Sequence, residues 1–296
     1  ATPIELNDPR FKEQNFKMIE IQPTFDYKKE LWLHHTNNTL QALKTVLSKL
    51  DNEEAAPLPI CVFINSTDII YSLMKQLDLL EDSAVFCAPK SVDKLKKNRF
   101  CNVYEEWNKD KMKRYNFFTS RFFNAVDMEL EEQPHVIMLT DVYFAEHTMI
   151  DPYTDAIQIV GRFRNGVSSI TYISNTQKGL PQRSKEEIKG YLICSKEIYR
   201  TMKNFYDCAA DRASRDAYRA ALESLPFNRM LDRNGRENWF AIDNYMDEEL
   251  MKNYFYDENS LYKAYDNCDS FIVYHAGYYC PLGDSAVSYT HLRAHE

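Results

Sequence analysis

Short, almost uninterrupted apolar segments recur along the first part of this sequence. They lie at 58–65, 84–88, 116–119, 135–140 and 167–174. Apolar runs of this length, bounded by polar turns, are typical of strands that are buried on both faces, as in parallel sheets. The stretches between them carry helical patterns, and strands that alternate with helices imply crossover connections. The sequence therefore predicts an α/β domain with a parallel sheet over residues 16–178.

Further elements of this domain follow from local patterns. The alternation at 16–21 predicts a strand, and leucines near helical spacing predict a helix over 28–50. Ser66-Thr67-Asp68 is a predicted N-cap for a helix that extends to Leu80. A further helix is predicted over 152–164, with its proline in the first turn.

The rest of the chain has a different composition. Residues 184–222 and 236–264 are long, poor in glycine and rich in helix formers, with a turn at 233–235 between them. Nine acidic residues and two lysines lie within 237–269, so the acidity of the chain is regional. We therefore expect a helical, acidic accessory region over 179–284, whose task the sequence leaves open.

The placement of glycine excludes one class of nucleotide site. The chain has seven glycines, and none precedes Gly161. A phosphate loop of the form G-x-x-x-x-G-K-[ST] or G-x-G-x-x-G is therefore impossible in the first half, and the second half contains none. Any role of this chain with a nucleotide must proceed without a phosphate loop of its own.

Other classes are poorly supported. The seven cysteines are scattered without C-x-x-C spacing, which fits a reducing cytoplasm, and no long uncharged apolar run predicts a membrane span. The histidines show no metal-binding spacing, and no G-x-S-x-G motif occurs, so no metal site is predicted. A small-molecule enzyme that uses the cleft at the strand ends ranks last, because no nucleophile or metal cluster is visible.

Polar residues follow several predicted strands. Asn65-Ser66-Thr67, Thr119-Ser120 and Asp141 each come directly after an apolar segment. Ligands of open α/β sheets bind outside the carboxyl ends of the strands. These positions are therefore the first places to look for a binding site.

A basic segment lies between Lys90 and Arg114. It holds nine lysines and arginines against four acidic residues, with Tyr104 and Trp107 among them. Cations contact phosphates and exposed bases stack on aromatic rings, so the segment could grip a nucleic-acid strand. A solvated face with buried aromatic residues is at least as good an interpretation.

Residues 158–164, QIVGRFR, have the form Q-x-x-G-R followed by a further arginine. This resembles motif VI of superfamily 2 helicases, whose arginines complete the nucleotide site from the second motor domain. A guanidinium that reaches across a cleft stabilises the charge that develops on a γ-phosphate. The resemblance implies catalytic roles for Arg162 and Arg164 and nucleotide-binding roles for Gln158 and Gly161. In the family the final arginine comes three residues after the first, where this chain has Asn165, so Arg162 is the preferred finger.

Three other segments resemble motifs of the same family, in the same order. Thr119 and Asp127 have the spacing of motif V, which implies that Thr119 and Ser120 contact nucleic acid and that Asp127 serves the nucleotide site; Ala125 replaces the usual glycine. Asn65 and Ser66 stand where motif IV contacts the phosphate backbone. The first three residues, Ala1-Thr2-Pro3, match the end of motif III.

The resemblance implies a RecA-like second motor domain of an ATP-dependent helicase or translocase. ATP and Mg²⁺ would be bound mainly by a first RecA-like domain upstream of Ala1, and nucleic acid, with DNA favoured over RNA, would be the partner. We expect residues 1–15 to be the end of motif III and a linker, and this chain alone to be inactive as an ATPase. Residues 285–296 resemble a translated sequencing adapter.

A rival interpretation stays open. The domain could be a non-catalytic α/β interaction module of replication or mobile-element machinery, in which Arg162 and Arg164 form interface salt bridges. A phosphate-loop motif upstream of the first residue would favour the motor, and its absence would favour the module.

Overall fold

The computed structural model of the chain describes residues 8–14, 24–52, 57–124 and 126–281. The predicted strand at 16–21, the tripeptide at 1–3, Ala125 and the tail at 285–296 lie outside these residues. Among the described residues, 24–178 and 255–281 form one compact unit, here the sheet unit. Residues 8–14 and 179–254 form the other, here the helical unit.

The strands all belong to the sheet unit and form one parallel sheet. Its order is β4-β3-β5-β2-β6-β7-β1-β8, and each described pairing is parallel. The strands are β1 Lys29–Thr36, β2 Ile60–Phe63, β3 Ser83–Phe86, β4 Val103–Tyr104, β5 Tyr115–Phe118, β6 His135–Thr140, β7 Ser169–Ser174 and β8 Phe271–Tyr278.

Helices connect these strands as crossovers or belong to the helical unit. In the sheet unit they are α2 Thr39–Asp51, α3 Thr67–Gln76, α4 Pro89–Lys97, α5 Asp155–Gly161 and α9 Glu258–Asp266. In the helical unit they are α1 Pro9–Glu13, α6 Lys185–Cys208, α7 Arg212–Ser224 and α8 Trp239–Met251. Short 3₁₀ turns lie at Lys109–Lys111, Ser120–Phe122, Glu146–Thr148 and Pro226–Met230.

The central strands are buried on both faces, as their apolar sequences require. Every residue of β2, β3, β5 and β6 is buried. Helices α2, α3 and α4 bury Leu43, Ile70 and Leu95 in a core that includes Val62 and Phe117 of the strands. The predicted fold class, a parallel α/β sheet followed by a mostly helical region, is confirmed.

The first predicted helix is corrected at its amino-terminal end. Residues 29–36 of the predicted helix 28–50 form strand β1, and only the remainder is helical. Leu31 and Leu33 are fully buried while Trp32 between them is 46% exposed, which is the two-residue period of a strand. Asn38 ends this pattern as an N-cap, because its side chain accepts a hydrogen bond from the Gln41 N–H at 3.0 Å.

Residues 255–281 differ from the expectation of a helical region over 179–284. They return to the sheet unit, where β8 pairs with β1 over eight residues. The sequence of β8, FIVYHAGY, is rich in aromatic and β-branched residues, a strand signal that the helix-favouring sequence before it obscured.

The helical unit is built around its own apolar cluster. Ile188 and Leu192 of α6 pack with Phe227, Ile242 and Met246. The predicted helix 184–222 is divided in two, since Asp211 caps α7 by accepting from the Ser214 N–H at 2.8 Å. In the part of the chain that the structure describes, no helix is long and apolar enough to cross a bilayer.

Candidate functional site

Polar residues collect at one edge of the sheet because all its strands are parallel. Asn65 and Ser66 follow β2, Thr119 and Ser120 follow β5, and Asp141 follows β6. β2 lies between β5 and β6, so these residues come from three adjacent strands. The structure thus brings the residues predicted after the strand ends to the same edge.

Arg162 is held against the loop that follows β5. Its Nε donates to the carbonyl of Gln158 at 3.1 Å, and its Nη1 donates to the carbonyl of Asn124 at 3.3 Å. Nη1 also lies 3.3 Å from Oδ1 of Asp127. The side chain of Arg162 is only 20% exposed, so most of it is enclosed by these partners.

Arg164 contacts the same carboxylate from a more open position. Its Nη2 lies 2.7 Å from both Oδ1 and Oδ2 of Asp127, and its side chain is 50% exposed. The hydrogen bond from Arg164 is the main reason that the pKa of Asp127 lies below its ordinary value, and the charges of Arg164 and Arg162 add to it. Asp127 is therefore ionised at neutral pH.

The backbone fixes this arrangement. Met128 N donates to the Arg162 carbonyl at 2.8 Å, and Arg164 N donates to the Met128 carbonyl at 3.2 Å. These two bonds form an isolated parallel bridge between Met128 and Phe163. The segment that resembles motif V and the segment that resembles motif VI are therefore joined through main chain and side chains.

Sequence spacing and side-chain exposure favour different arginines as the residue that reaches a nucleotide. Spacing favoured Arg162 as the residue that reaches a nucleotide, whereas the structure leaves Arg164 the more accessible of the two. Gln158 is half-buried on α5, and Gly161 is exposed at the end of that helix. Both residues also offer their carbonyls to the arginines.

The four residues predicted to contact nucleic acid differ in accessibility, because some of them already form hydrogen bonds within the protein. Asn65 Nδ2 donates to the His147 carbonyl at 3.0 Å, and Ser66 caps α3 by accepting from the Ile69 N–H at 3.4 Å. Thr119 is 8% exposed, whereas Ser120 is exposed. Ser120 is thus the most available of the four groups at this edge.

A buried network beside these residues centres on Asp141. Its Oδ2 accepts from Thr39 Oγ1 and its Oδ1 from Asn175 Nδ2, both at 2.7 Å. Asn175 Oδ1 in turn accepts from the Val142 N–H at 2.6 Å, and Asp141 is only 4% exposed. The sequence pointed to Asp141 but missed Thr39 and Asn175, although Asn175 also directly follows a strand.

The described residues show no cluster of three or more histidine, cysteine or acidic side chains able to hold a metal ion. The groups described at this edge are two arginine side chains and several hydrogen-bonding side chains. Two guanidinium groups and a hydroxyl-bearing loop suit contacts to phosphate oxygens.

Comparisons with known proteins give a limited result. No protein-family model matches the chain, and no curated protein is significantly similar to it. A solved structure described as "Structure of the C-terminal domain of the DEAD-box protein Dbp5" is similar with a TM-score of 0.32 and 14% identity. The match covers 58% of this chain and 86% of that chain, and the likeness extends no further than the fold.

Proposed function

We propose that this chain is the second motor domain of an ATP-dependent superfamily 2 nucleic-acid helicase or translocase. The observation that supports the proposal best is the contact of Arg162 and Arg164 with Asp127. It joins the two motif-like segments that, in such a motor, would couple the nucleotide to the nucleic acid.

The proposed role of the arginines is electrostatic. Charge builds on the oxygens of a γ-phosphate during cleavage, and a guanidinium placed across the cleft stabilises that charge. Arg164, half exposed, can turn from Asp127 toward a phosphate, while Arg162 keeps the loop at Asn124 in place. Gln158 and Gly161 position both groups from α5. ATP and Mg²⁺ would be held mainly by a first RecA-like domain, because this chain has no phosphate loop.

The proposed strand path follows the edge formed by β2 and β5. Thr119 and Ser120 would contact sugar and phosphate groups, with Asn65 and Ser66 beside them on the neighbouring strand. Hydroxyl and amide groups position a backbone without reading its bases, so such a path suits movement along any sequence. We favour DNA over RNA as the partner.

The decisive experiment uses the complete open reading frame. A G-x-x-x-x-G-K-[ST] motif upstream of Ala1 is expected, together with ATP hydrolysis that nucleic acid stimulates. Arg164→Ala should lower the stimulated kcat at least ~100-fold, because arginine fingers contribute about 10³ to 10⁵ in rate. Arg162→Ala should also lower it, because Arg162 holds Asn124 and Asp127 in place beside Arg164. Arg200→Ala, which removes an exposed arginine on α6, is the matched control. Unchanged hydrolysis in both variants would refute the proposal.

A second candidate is the non-catalytic interaction module. The observation in its favour is that Arg162 is largely enclosed and hydrogen-bonds two carbonyls and a carboxylate. This is the environment of an arginine with a purely structural role. In that case Arg162→Ala should lower the melting temperature without any effect on hydrolysis by the complete protein.

A further inference from the structure

A cavity of about 800 Å³ lies in the sheet unit. Its walls include His35 at the end of β1, Thr176 just after β7, His275 of β8 and Glu258 at the start of α9. β7, β1 and β8 are adjacent at one side of the sheet, whereas the arginine site lies toward β5 and β6. This cavity, here the β8 cavity, is therefore separate from the arginine site.

A hydroxyl, an imidazole and a carboxylate follow one another in this cavity. Nε2 of His35 lies 2.9 Å from Thr176 Oγ1. Nδ1 of His35 lies 2.9 Å from the Tyr279 hydroxyl and 3.5 Å from Oε2 of Glu258. The Tyr279 hydroxyl also donates to Oε2 of Glu258, and His275 Nε2 lies 3.1 Å from Oε1 of the same carboxylate.

One assignment of protons satisfies all of these contacts. Because Tyr279 gives its proton to Glu258, its oxygen accepts the Nδ1–H of His35. Nε2 of His35 then carries the lone pair and accepts the hydroxyl proton of Thr176. Burial is the main reason that the pKa of His35 lies below its ordinary value, so the ring is neutral at pH 7. A neutral imidazole facing a hydroxyl is the arrangement of a general base.

We propose that the β8 cavity is an acyl-transfer site in which Thr176 is the nucleophile, His35 is the general base and Glu258 orients His35 through the Tyr279 hydroxyl. In this scheme Thr176 Oγ1 attacks the carbonyl carbon of an ester, and its proton passes to His35 Nε2. The imidazolium then returns the proton to the departing alcohol. Water, deprotonated by His35, releases the acid from Thr176 and restores the hydroxyl.

The start of α9 can stabilise the oxyanion of this reaction. The first backbone N–H groups of a helix have no acceptor within the helix, and here they belong to Glu258 and Asn259. Both residues line the cavity. These two N–H groups are the main-chain donors that we assign to the oxyanion formed at Thr176.

The walls indicate the class of substrate. The rings of Tyr143, Tyr262 and His275 line the cavity, and the last two lie with centroids 5.3 Å apart. Flat apolar surfaces of this kind suit a planar group. A carboxylic ester of an aromatic alcohol could pack its ring on these side chains, beside Lys178, Asp257 and Glu258, which also line the cavity.

This inference goes beyond the proposed function and does not depend on it. Thr176, His35 and Glu258 lie far apart along the chain and in no motif, so no sequence pattern indicates a nucleophile here. Folding brings them together through the parallel pairing of β7, β1 and β8.

The test is hydrolysis of p-nitrophenyl acetate by the full chain, with mass spectrometry of the acetylated residue. We expect acetyl transfer to Thr176, and a fall in kcat of at least ~100-fold in Thr176→Ala and His35→Gln. Thr176→Ser, which keeps the hydroxyl, should retain the activity. Thr45→Ala removes an exposed threonine hydroxyl on α2 and His147→Ala an exposed imidazole; both should leave the rate unchanged.

A second measurement distinguishes loss of the nucleophile from loss of the folded structure. An alkyl fluorophosphonate should form an Oγ1–phosphorus bond at Thr176 with loss of fluoride, in the wild type and in Thr176→Ser. If no label appears at residue 176, or if Thr176→Ala hydrolyses the ester as fast as the wild type, the inference is wrong. Loss of activity in Thr176→Ser with an unchanged melting temperature would also overturn it.

Discussion

Arg164 contacts Asp127 through a single nitrogen, Nη2, which lies 2.7 Å from both carboxylate oxygens. Arg162 reaches the same carboxylate at 3.3 Å but also binds two carbonyls. One acidic residue thus holds two cations of very different exposure. The two arginines should therefore contribute differently to stability and to ligand binding.

We predict that Arg162→Ala destabilises the sheet unit more than Arg164→Ala. Loss of Arg162 leaves the carbonyls of Gln158 and Asn124 without its hydrogen bonds, at a cost of about 1–2 kcal/mol. Loss of Arg164 removes a half-exposed ion pair, worth below ~1 kcal/mol. Urea denaturation of both variants checks the order, and an equal or reversed effect would show that Arg162 is not a structural anchor.

We predict that Asp141→Ala is among the more damaging substitutions at the sheet edge. It leaves the buried donors of Thr39 and Asn175 without an acceptor and should lower the free energy of unfolding by about 3 kcal/mol. A double-mutant cycle with Asn175→Ala should give a coupling of about 1–2 kcal/mol. Additive effects in urea denaturation would contradict the shared network.

We predict that the titration of the Asp155 carboxyl group makes the free energy of unfolding depend on pH. Burial raises its pKa from 3.8 to about 6, so the folded state binds more protons than the unfolded state between these values. The contribution of Asp155 to stability therefore falls as pH rises from about 4 to about 6, by roughly 3 kcal/mol, and is constant above.

Asp155→Asn removes this titration. Its free energy of unfolding, relative to that of the wild type, should rise across the same interval, as measured by urea denaturation at several pH values. Asp216→Asn, which removes a 54% exposed carboxylate on α7, is the matched control. Parallel curves for wild type and Asp155→Asn would disprove the prediction.

We predict that the cysteine thiols differ in reactivity toward a thiol reagent according to their exposure. Cys101, Cys194 and Cys208 are exposed, whereas Cys61 and Cys87 are fully buried within the sheet. Burial raises the pKa of the Cys61 thiol and raises that of Cys87 to about 12. Native protein treated briefly with a thiol reagent near pH 8 should be modified at the three exposed positions and not at the two buried ones, as peptide mass spectrometry can establish.

Local patterns predicted most of the sheet because its strands are short and apolar. Strand β6 matches the predicted 135–140, and Ser66 caps α3 as expected. The start of the first helix was wrong, since the leucines of β1 continue at helical spacing into α2. β8 was missed because its aromatic and β-branched sequence directly follows a long helix-favouring stretch.

The same limit applies to the sites. Asp127, Arg162 and Arg164 carry motif-like spacing, and the structure places them together. Their catalytic and binding roles stay predictions. Thr39, Asn175, His35 and Glu258 have no such spacing, because contacts between strand ends depend on the order of strands in the sheet rather than on sequence distance.

The main chain leaves the sheet unit after Lys178 and returns at Phe255, and Gln177 N donates to the Phe255 carbonyl at 3.0 Å. The departure and re-entry points therefore almost touch. Residues 179–254 are therefore arranged like a domain inserted into the sheet unit, because inserted domains begin and end at points that lie close together. A short glycine-serine bridge from Lys178 to Phe255 should close the gap and let β8 take its place beside β1 in a shortened protein.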